Sequence, residues 1–529
     1  MRNFYQGGRS VTYGLNGAIA TSNIHASQAG LGILKAGGTA MDAAIAACAV
    51  QCVIDPMQTG IGGDCFALVA RNGSGEIKGL NGSGRAPAAL TADYLRAQGI
   101  DKISPTSVHS VTLPGAIDAW IRLHEEYGRM DFADILAPAI DYAENGFTVS
   151  QRTSIDWQQA VFKVENNEAA RTLFLQNGKA PKAGSIWRLP ALGATLRAVA
   201  KGGRAAFYEG PLAEQMTETL RAAGGLHELS DFAATVADDV TPIRTDYQGY
   251  DVHQIPPNGQ GITTLIMFNI LKRLGLDGLD PFGAKRLHFE AEAARLAYLA
   301  RNKYVGDPDQ AEIPVDRLLS DAFADRLCSY IEIGKAGDPT GAGALDSNRD
   351  TIYLSVVDKD RNVVSFINSL YQSFGSGIAC AKTGVVFQNR GFGFVVDPGH
   401  PNSVAPGKRP LHTIIPGMVT KDGRAAITYG VMGGGFQPVG HVRLLTNIWN
   451  YGMDVQEAID CPRAFYNAGV LEVEAGISAS VRSELAAMGY TLADTAMPLG
   501  GAQIISIDPE TGVLAAGSES RKDGCALAY

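Results

Sequence analysis

One stretch, residues 350–375, limits what this chain can fold into more than any other: DTIYLSVVDKDRNVVSFINSLYQSFG. Its runs 352–357 and 363–370 are rich in β-branched and aromatic residues and flank a polar turn, which predicts two half-buried strands joined as a hairpin. Residues 334–349, just before it, are rich in Gly, Ala, Asp and Ser, the composition of a flexible linker that can be cut. The chain therefore passes abruptly from a linker into a strand that begins with Thr351.

Thr351 has two interpretations. Threonine is common in strands, and most threonines at a strand start have no further role. After a cuttable linker, however, breaking the Asp350–Thr351 bond would give Thr351 a free α-amine beside its own hydroxyl. That amine can act as the base that activates the hydroxyl as a nucleophile. The pattern thus favours a self-cleaving enzyme in which Thr351 is the catalytic residue.

The hairpin is one of several blocks that, in the same order, resemble the γ-glutamyltranspeptidase family of N-terminal-nucleophile hydrolases. The others include GGTAMDAAIA at residues 37–46, a glycine pair at 433 and 434, and the closing SESRKDGCALAY. The resemblance runs from about Ala18 to Tyr529. It implies an α+β fold, the four-layer αββα sandwich of that superfamily, in which two stacked sheets are covered by helices.

The resemblance also implies two subunits from one precursor. Cleavage between Asp350 and Thr351 would give a large, helix-rich subunit, 1–350, and a small subunit, 351–529. Both would contribute strands to the sandwich and stay associated, with a dimer of these pairs as an open alternative. Residues 150–301 are expected to be mainly helical and structural.

The catalytic roles that the resemblance implies fall on four residues. Thr351 is the nucleophile, and Ser369 matches a family threonine whose hydroxyl hydrogen-bonds it. Gly433 and Gly434 match paired backbone amides that stabilise the tetrahedral oxyanion. Glycine suits that task because it lets the backbone come close to the substrate.

The substrate-binding positions depart from the family pattern. The family arginine that binds a substrate carboxylate lies two positions earlier, where this chain has Ser83, so Arg85 is expected to reach the same pocket in a shifted register. His412 and Thr413 replace two serines that contact the carboxylate, and both can still donate hydrogen bonds. His412 also has the alternative interpretation of a core histidine.

A second departure concerns the substrate amine. The acidic pair that includes the family's partner for the α-amino group is replaced here by Phe392 and Gly393, and Tyr371 replaces an asparagine that touches the substrate. A buried ammonium group would then have no partner, which is costly. Asn389 and Arg390 are instead candidates for facing an anionic substrate, although Arg390 could equally be a surface turn residue.

Composition restricts the partners. The 529 residues carry a net charge of -9, which argues against nucleic acid as a main partner. The first residues contain no apolar signal region, and no apolar run predicts a membrane span, so we expect a cytoplasmic protein with no membrane partner. The seven cysteines form no CxxC pair, and no cluster suggests a metal. No metal or organic cofactor is expected.

These observations favour a self-processing amidohydrolase that acts on a small anionic amide of the oxamate type through a threonine acyl-enzyme. The first alternative is a γ-glutamyl hydrolase or transferase that acts on glutathione-like substrates. A cephalosporin or glutaryl acylase is a further alternative. A catalytically inactive binding scaffold is conceivable too, but it would have no need of the intact Thr351, Ser369 and Gly433-Gly434 set.

Overall fold

The computed structural model describes residues 8–340 and 350–529. The helices are α1 Ile24–Lys35, α2 Ala40–Ile54, α3 Ala92–Ala97, α4 Ala116–Tyr127, α5 Phe132–Asn145, α6 Gln151–Gln159, α7 Val161–Val164, α8 Glu168–Phe174, α9 Pro190–Tyr208, α10 Pro211–Ala222, α11 Leu229–Ala233, α12 Gly261–Leu274, α13 Ala284–Tyr304, α14 Val315–Leu319, α15 Asp321–Cys328, α16 Gln437–Trp449, α17 Val455–Asp460 and α18 Ala479–Ala487. Short 3₁₀ turns cover Val108–Ser110, Arg390–Gly393 and Gly434–Phe436.

The strands follow the same numbering along the chain. They are β1 Thr12–Gly14, β2 Ala18–Thr21, β3 Asp64–Ala70, β4 Ile77–Gly82, β5 Phe147–Thr148, β6 Ile186–Trp187, β7 Asp238–Val240, β8 Ile243–Tyr247, β9 Tyr250–Gln254, β10 Ile352–Val357, β11 Val363–Ser369, β12 Ala379–Cys380, β13 Val385–Val386, β14 Gly417–Lys421, β15 Arg424–Met432, β16 Ala464–Asn467, β17 Val470–Val473, β18 Thr491–Asp494, β19 Gly501–Ile507, β20 Leu514–Ser518 and β21 Cys525–Ala528.

Two seven-stranded sheets form the centre of the molecule. One has the order β1-β20-β19-β15-β14-β9-β8, and the other β21-β2-β10-β11-β3-β4-β7. Each sheet mixes strands from before and after the Asp350–Thr351 bond. A cut at that bond would therefore leave the two pieces joined by strand pairing and by a shared core.

The two sheets pack face to face, and helices cover their outer faces. The core between the sheets includes Phe66, Tyr353 and Met418. A second core lies under α1, α2, α4, α5 and α9, and a third lies under α12, α13, α16 and α17. The four-layer αββα architecture that the sequence predicts is confirmed.

The predicted hairpin forms the middle of its sheet. Strand β10 pairs antiparallel with β11 in unbroken register from Ile352↔Asn368 to Val357↔Val363. It also pairs with β2, while β11 pairs with β3, so both strands are buried on either side. Thr351 directly precedes the first residue of this central hairpin.

The helix signals are also confirmed where they are strongest. Helix α1 ends at Lys35, and Gly37 follows with a φ of +96°, a conformation that glycine adopts without strain. Thr39 and Asp42 then form a capping box at the start of α2, whose residues are all buried. The middle of the chain is mainly helical, as predicted, and it also contains β7, β8 and β9 within residues 238–254.

Two further features concern the expected environment. Among residues 8–340 and 350–529, no helix combines the length and the apolar character needed to cross a bilayer. All seven cysteines have free thiols, and Cys48, Cys52 and Cys65 are buried. Buried thiols of this kind pack as small apolar side chains.

Candidate active site

Thr351 is held at the beginning of the central hairpin. It is 1% exposed, and its φ of 137° lies in a region that β-branched residues avoid. Breaking the Asp350–Thr351 bond would remove this constraint, since φ involves the carbonyl carbon of the preceding residue. The strained angle thus lies next to the peptide bond that the sequence marks for cleavage.

Ser369 lies beside Thr351 because β10 and β11 are paired neighbours. The two hydroxyl oxygens, Thr351 Oγ1 and Ser369 Oγ, are 2.9 Å apart. The backbone N–H of Tyr371 donates to Ser369 Oγ over 2.9 Å, so the serine can direct its own proton toward Thr351. Tyr371 achieves this turn with a φ of 79°, again a strained conformation for a bulky residue.

Gly433 and Gly434 follow the end of β15. Their φ angles are 130° and 53°, and Gly434 begins a 3₁₀ turn that leads into α16. The first N–H groups of a helical turn have no partner inside the turn, so such a start can present amides to an oxyanion. The geometry therefore suits the role that the sequence predicts.

The sheet packing brings this glycine pair toward Thr351. Across the sandwich, Ser355 Oγ donates to the carbonyl of Thr428 over 3.2 Å, and a Cβ on Gly430 would lie 2.4 Å from the Tyr353 ring. Across this interface, an earlier residue of β10 therefore faces a later residue of β15. Continuing this pairing directs the start of β10 toward the end of β15, where Gly433 follows.

Arg390 is fully buried rather than a surface turn residue. Its Nη1 donates to Thr413 Oγ1 over 2.7 Å, and its guanidinium lies 4.0 Å from the centre of the Tyr371 ring. The Phe392 ring lies 6.2 Å from that of Tyr371. We call Tyr371, Arg390, Phe392 and Thr413 the arginine wall. It is linked to Thr351 by two hydrogen bonds, one from the Tyr371 N–H to Ser369 Oγ and one between Ser369 Oγ and Thr351 Oγ1.

The arginine wall has a cation, Arg390, and an uncharged Phe392 at one of the two positions where the family pattern has acidic residues. The Lys102 ammonium lies 5.7 Å from the centre of the Phe392 ring and adds a second cation near the wall. Asn389 does not join this surface, because its side-chain amide is bound to the backbone of Pro105 and Gln372 and to the Gln372 side chain. Its predicted substrate contact would require these bonds to open.

His412 is a buried partner of Asp64. Its Nε2 is 2.9 Å from Asp64 Oδ2, and its Nδ1 accepts the N–H of Ile414 over 3.3 Å. Burial, followed by the positive charge of Arg390, lowers the pKa of His412 to about 3, so the ring is neutral at physiological pH. Both ring nitrogens have partners, which supports the core interpretation over a direct substrate contact.

The buried Asp64 carboxylate binds several groups next to the site. Besides His412, its carboxylate accepts bonds from the N–H groups of Gly84 and Gly115 and from Gln388 Nε2. It lies opposite Ser369 in the sheet. These contacts tie the central hairpin to the segment that contains Thr413.

Arg85 faces a different cluster. Its guanidinium pairs with Asp238, Asp307 and Asp309 over 3.4, 3.6 and 2.9 Å, and it also donates to the Gly407 carbonyl. These contacts commit the charge to acidic side chains of the protein. The predicted carboxylate-binding role of Arg85 stays a prediction, and the function proposed below does not depend on it.

Gln260 and Arg301 contact the site but come from the region that the sequence analysis treats as structural. Gln260 Nε2 donates to the carbonyls of Thr413 and Gly434 over 2.7 and 3.0 Å, and Gln260 Oε1 accepts from Arg301 Nη1 over 2.7 Å. Burial lowers the pKa of Arg301 to about 10, which leaves it charged. Gln260 thus links the arginine wall to the glycine pair. The PPNGQG segment before α12, which contains Gln260, is the sequence feature that could have indicated this contact.

Gln58 is a second contact that the sequence analysis missed. Its Oε1 accepts the N–H of Thr351 over 3.3 Å, and its Nε2 donates to Asp156 Oδ2 over 3.1 Å. Asp156 in turn pairs with Arg152 and Lys522. Gln58 lies in the loop between α2 and β3, and the glycines of that loop predict only a role in tight packing.

A buried threonine at the start of a central strand, in a sandwich of two sheets between helices, defines the class of N-terminal-nucleophile hydrolases. The Gamma-glutamyltranspeptidase family matches residues 26–529. The chain belongs to that family, whose members are hydrolases and transferases.

Individual relatives cover nearly the whole chain. The glutathione hydrolase-like YwrD proenzyme of Bacillus subtilis is 36% identical over 95% of this chain and 96% of its own length. The oxamate amidohydrolase proenzyme of Klebsiella pneumoniae is 32% identical, with 98% and 99% covered. The crystal structure of cephalosporin acylase from Bacillus halodurans has a TM-score of 0.93 and 39% identity, with 100% and 98% covered.

Proposed function

We propose that this chain is a self-processing amidohydrolase whose preferred acyl group carries a free carboxylate and no ammonium group. The observation that carries the proposal is the arginine wall, in which buried Arg390 is fixed by Thr413 and Tyr371 and connected to Thr351 through Ser369. A planar guanidinium is well suited to a carboxylate. Phe392 has no carboxylate to pair with an ammonium group.

Self-processing would begin at the Asp350–Thr351 bond. Thr351 Oγ attacks the Asp350 carbonyl carbon, the C–N bond breaks as the nitrogen gains a proton, and water then hydrolyses the resulting ester. In the uncut chain Thr351 is buried, so a substrate can reach it only after this region opens. The proenzyme names of the relatives support this step.

Catalysis would reuse the same oxygen. As Thr351 Oγ bonds to the amide carbonyl carbon, its proton passes to the free α-amine of Thr351, and the Gly433 and Gly434 amides stabilise the oxyanion. The α-amine then gives that proton to the leaving nitrogen as the C–N bond breaks. Water releases the acid by the same route. Ser369 donates to Oγ and steadies its developing charge.

An oxamate-type substrate is the first candidate, and the oxamate amidohydrolase relative supports it. A glutaryl-type acyl group, which places its carboxylate farther from the reacting carbonyl, is the second. The similarity to a solved cephalosporin acylase favours this alternative. The two candidates share an anionic acyl group and differ in its length.

A substrate series tests both the charge and the length. Ammonia release from oxamate, succinamate and glutaramate reports which spacing between carboxylate and carbonyl fits the site. L-Glutamine is the matched control, because it differs from glutaramate only by the α-ammonium group. We expect glutaramate or oxamate to be hydrolysed faster than glutamine, since an unpaired charge in a buried site costs binding.

The Thr351→Ala variant provides the blank for every substrate. Faster release from glutamine, or from a γ-glutamyl anilide, than from any member of the anionic series would overturn the proposed acyl preference. It would favour a γ-glutamyl hydrolase or transferase instead. Equal ammonia release by wild type and the blank on all substrates would reject the amidohydrolase proposal itself.

A further inference from the structure

The amide side chain of Gln58 has an orientation fixed by its two neighbours. Its ends lie 3.3 Å from Thr351 N and 3.1 Å from Asp156 Oδ2. A carboxylate can only accept hydrogen bonds, so Gln58 must present its NH₂ group to Asp156. Its oxygen must therefore face the nitrogen that self-cleavage turns into the α-amine.

Asp156 is itself clamped by two cations. Its Oδ1 is 2.6 Å from Arg152 Nη2, and its Oδ2 is 3.0 Å from Lys522 Nζ. The side chains of Asp156 and Lys522 are each only 9% exposed. Helix α6, the C-terminal segment and the loop after α2 thus converge on one point. This convergence gives the Gln58 oxygen a fixed position next to Thr351 N.

We propose that Gln58 is a positioning residue that accepts an N–H bond from the α-amine of cut Thr351 and so turns the nitrogen lone pair toward the Thr351 hydroxyl. The inference rests on the proposed function, in which this amine is the base. A neutral acceptor matters because a base must be unprotonated to work. A carboxylate in the same place would stabilise the ammonium form.

The charges around this corner have both signs. The cations paired with Asp156, Arg152 and Lys522, disfavour a further positive charge on the amine, whereas the neighbouring carboxylates favour it. The other titratable groups facing this corner are Lys163, Asp350 and Glu472 in the cavity of about 420 Å³ that Asp156 also lines, Asp55 and Asp523 near Asp156, and Asp64 opposite Ser369.

The test compares Gln58→Glu and Gln58→Leu with Gln159→Leu. Gln159 lines the same cavity, but its side-chain contact is with Met497, so its variant is the matched control. Denaturing mass spectrometry first measures the cut fraction. Competitive acetylation of the Thr351 amine across pH 5 to 9 then reports its pKa without any substrate, and the acidic limb of kcat/KM reports it during turnover.

For Gln58→Glu we expect the acetylation midpoint and the acidic limb to move to higher pH together by about one unit or more, as an adjacent carboxylate does to an ammonium group. For Gln58→Leu we expect kcat to fall about tenfold with little change in KM, because positioning is lost but the substrate contacts remain. Gln159→Leu should match wild type. Unchanged midpoints and limbs in Gln58→Glu would overturn the inference.

A second variant covers the case in which Gln58→Glu does not fold or cut. Lys522→Gln leaves Gln58 and the cleavage bond intact, and removing its positive charge should move the same midpoint to higher pH by a smaller amount. No shift there would also count against the network. A wild-type protein that cuts itself but hydrolyses no amide of the series would reject the proposed function, while the acetylation midpoints would still decide the role of Gln58.

Discussion

The nucleophile group, Thr351 with Ser369, Gly433 and Gly434, and the arginine wall touch each other but are built differently. Members of the nucleophile group sit at the ends of regular strands, β10, β11 and β15, whose register fixes them. The arginine wall comes from irregular segments around Tyr371, Arg390 and Thr413. Strands hold positions rigidly, whereas loops accept substitutions more readily.

This difference explains how one architecture can keep one reaction and accept different acyl groups. In the proposed mechanism, the reaction depends on the Thr351 hydroxyl and amine and on the Gly433 and Gly434 amides, which the strands of the sandwich position. The acyl preference depends on which side chains the neighbouring loops present. Variants in the two regions should therefore have effects of different kinds, with chemistry lost in one and preference changed in the other.

The largest effect is expected for Thr351→Ala. Without the hydroxyl there is no nucleophile for either step, so self-cleavage should disappear and turnover should fall by about 10⁴-fold or more. Denaturing mass spectrometry and ammonia release measure the two losses. Thr351→Ser, which keeps a hydroxyl, should retain cutting and measurable turnover. A Thr351→Ala protein that still cuts at the same bond would place the nucleophile elsewhere.

Arg390→Met should have the next largest effect. We expect kcat/KM for the preferred anionic amide to fall about 30- to 5000-fold, because a buried cation contact of this kind is worth about 2–5 kcal/mol. Self-cleavage should continue, since it does not involve a substrate carboxylate. Arg390→Lys keeps the charge but loses the planar geometry and should be intermediate. Equal losses for glutaramate and for valeramide, which has a methyl group where glutaramate has its carboxylate, would show that Arg390 supports the fold rather than the acyl preference.

The sequence marks the members of the nucleophile group by blocks along the chain, and their catalytic roles stay predictions. A linker that switches to a β-rich run marks Thr351, and the order of blocks that resembles the family marks Ser369, Gly433 and Gly434. The sequence could not predict the contacts of Gln58, Gln260 or Arg301, because those contacts join residues far apart in the chain and arise only from packing. The ion pairs of Arg85 could not be predicted either, because its position in a glycine-rich loop does not indicate which acidic side chains it contacts.

Ser369→Ala tests whether Ser369 acts on Thr351 or on the arginine wall, since its hydroxyl contacts both Thr351 and Tyr371. Removing its hydroxyl deletes one hydrogen bond to Thr351 Oγ1 and leaves the buried Tyr371 N–H without its acceptor. A loss of about 1–3 kcal/mol, roughly 5- to 150-fold, is expected in kcat. The cut fraction and kcat are measured together, and Ser369→Thr should restore most of the activity. A loss confined to KM would instead link Ser369 to the arginine wall.

His412 should affect acid stability more than catalysis. Its pKa is lowered to about 3 in the folded protein by burial, followed by Arg390, and is near 6.5 when unfolded. The unfolded chain therefore binds the extra proton first, and stability falls as the pH drops from about 6.5 toward 3, by at most roughly 1.4 kcal/mol per unit. His412→Gln, which can still donate to Asp64, should flatten this dependence in melts at pH 7, 6, 5 and 4. An unchanged slope would contradict the buried neutral ring.

The smallest effect is expected for Arg85→Ala. This variant tests whether Arg85 binds the substrate carboxylate, as the sequence predicts, or only the acidic side chains that it contacts in the structure. The Arg85 guanidinium pairs with Asp238, Asp307 and Asp309, of which only Asp307 is fully buried. Partly exposed ion pairs contribute about 0–1 kcal/mol, and the backbone N–H of Arg409 still binds Asp307 in the variant. We therefore expect kcat/KM on the preferred amide to stay within about fivefold of wild type, with a slightly lower Tm. A rise in KM of more than tenfold for glutaramate, with valeramide unaffected, would instead bring Arg85 into the substrate site, because only a contact with the carboxylate would discriminate in that way.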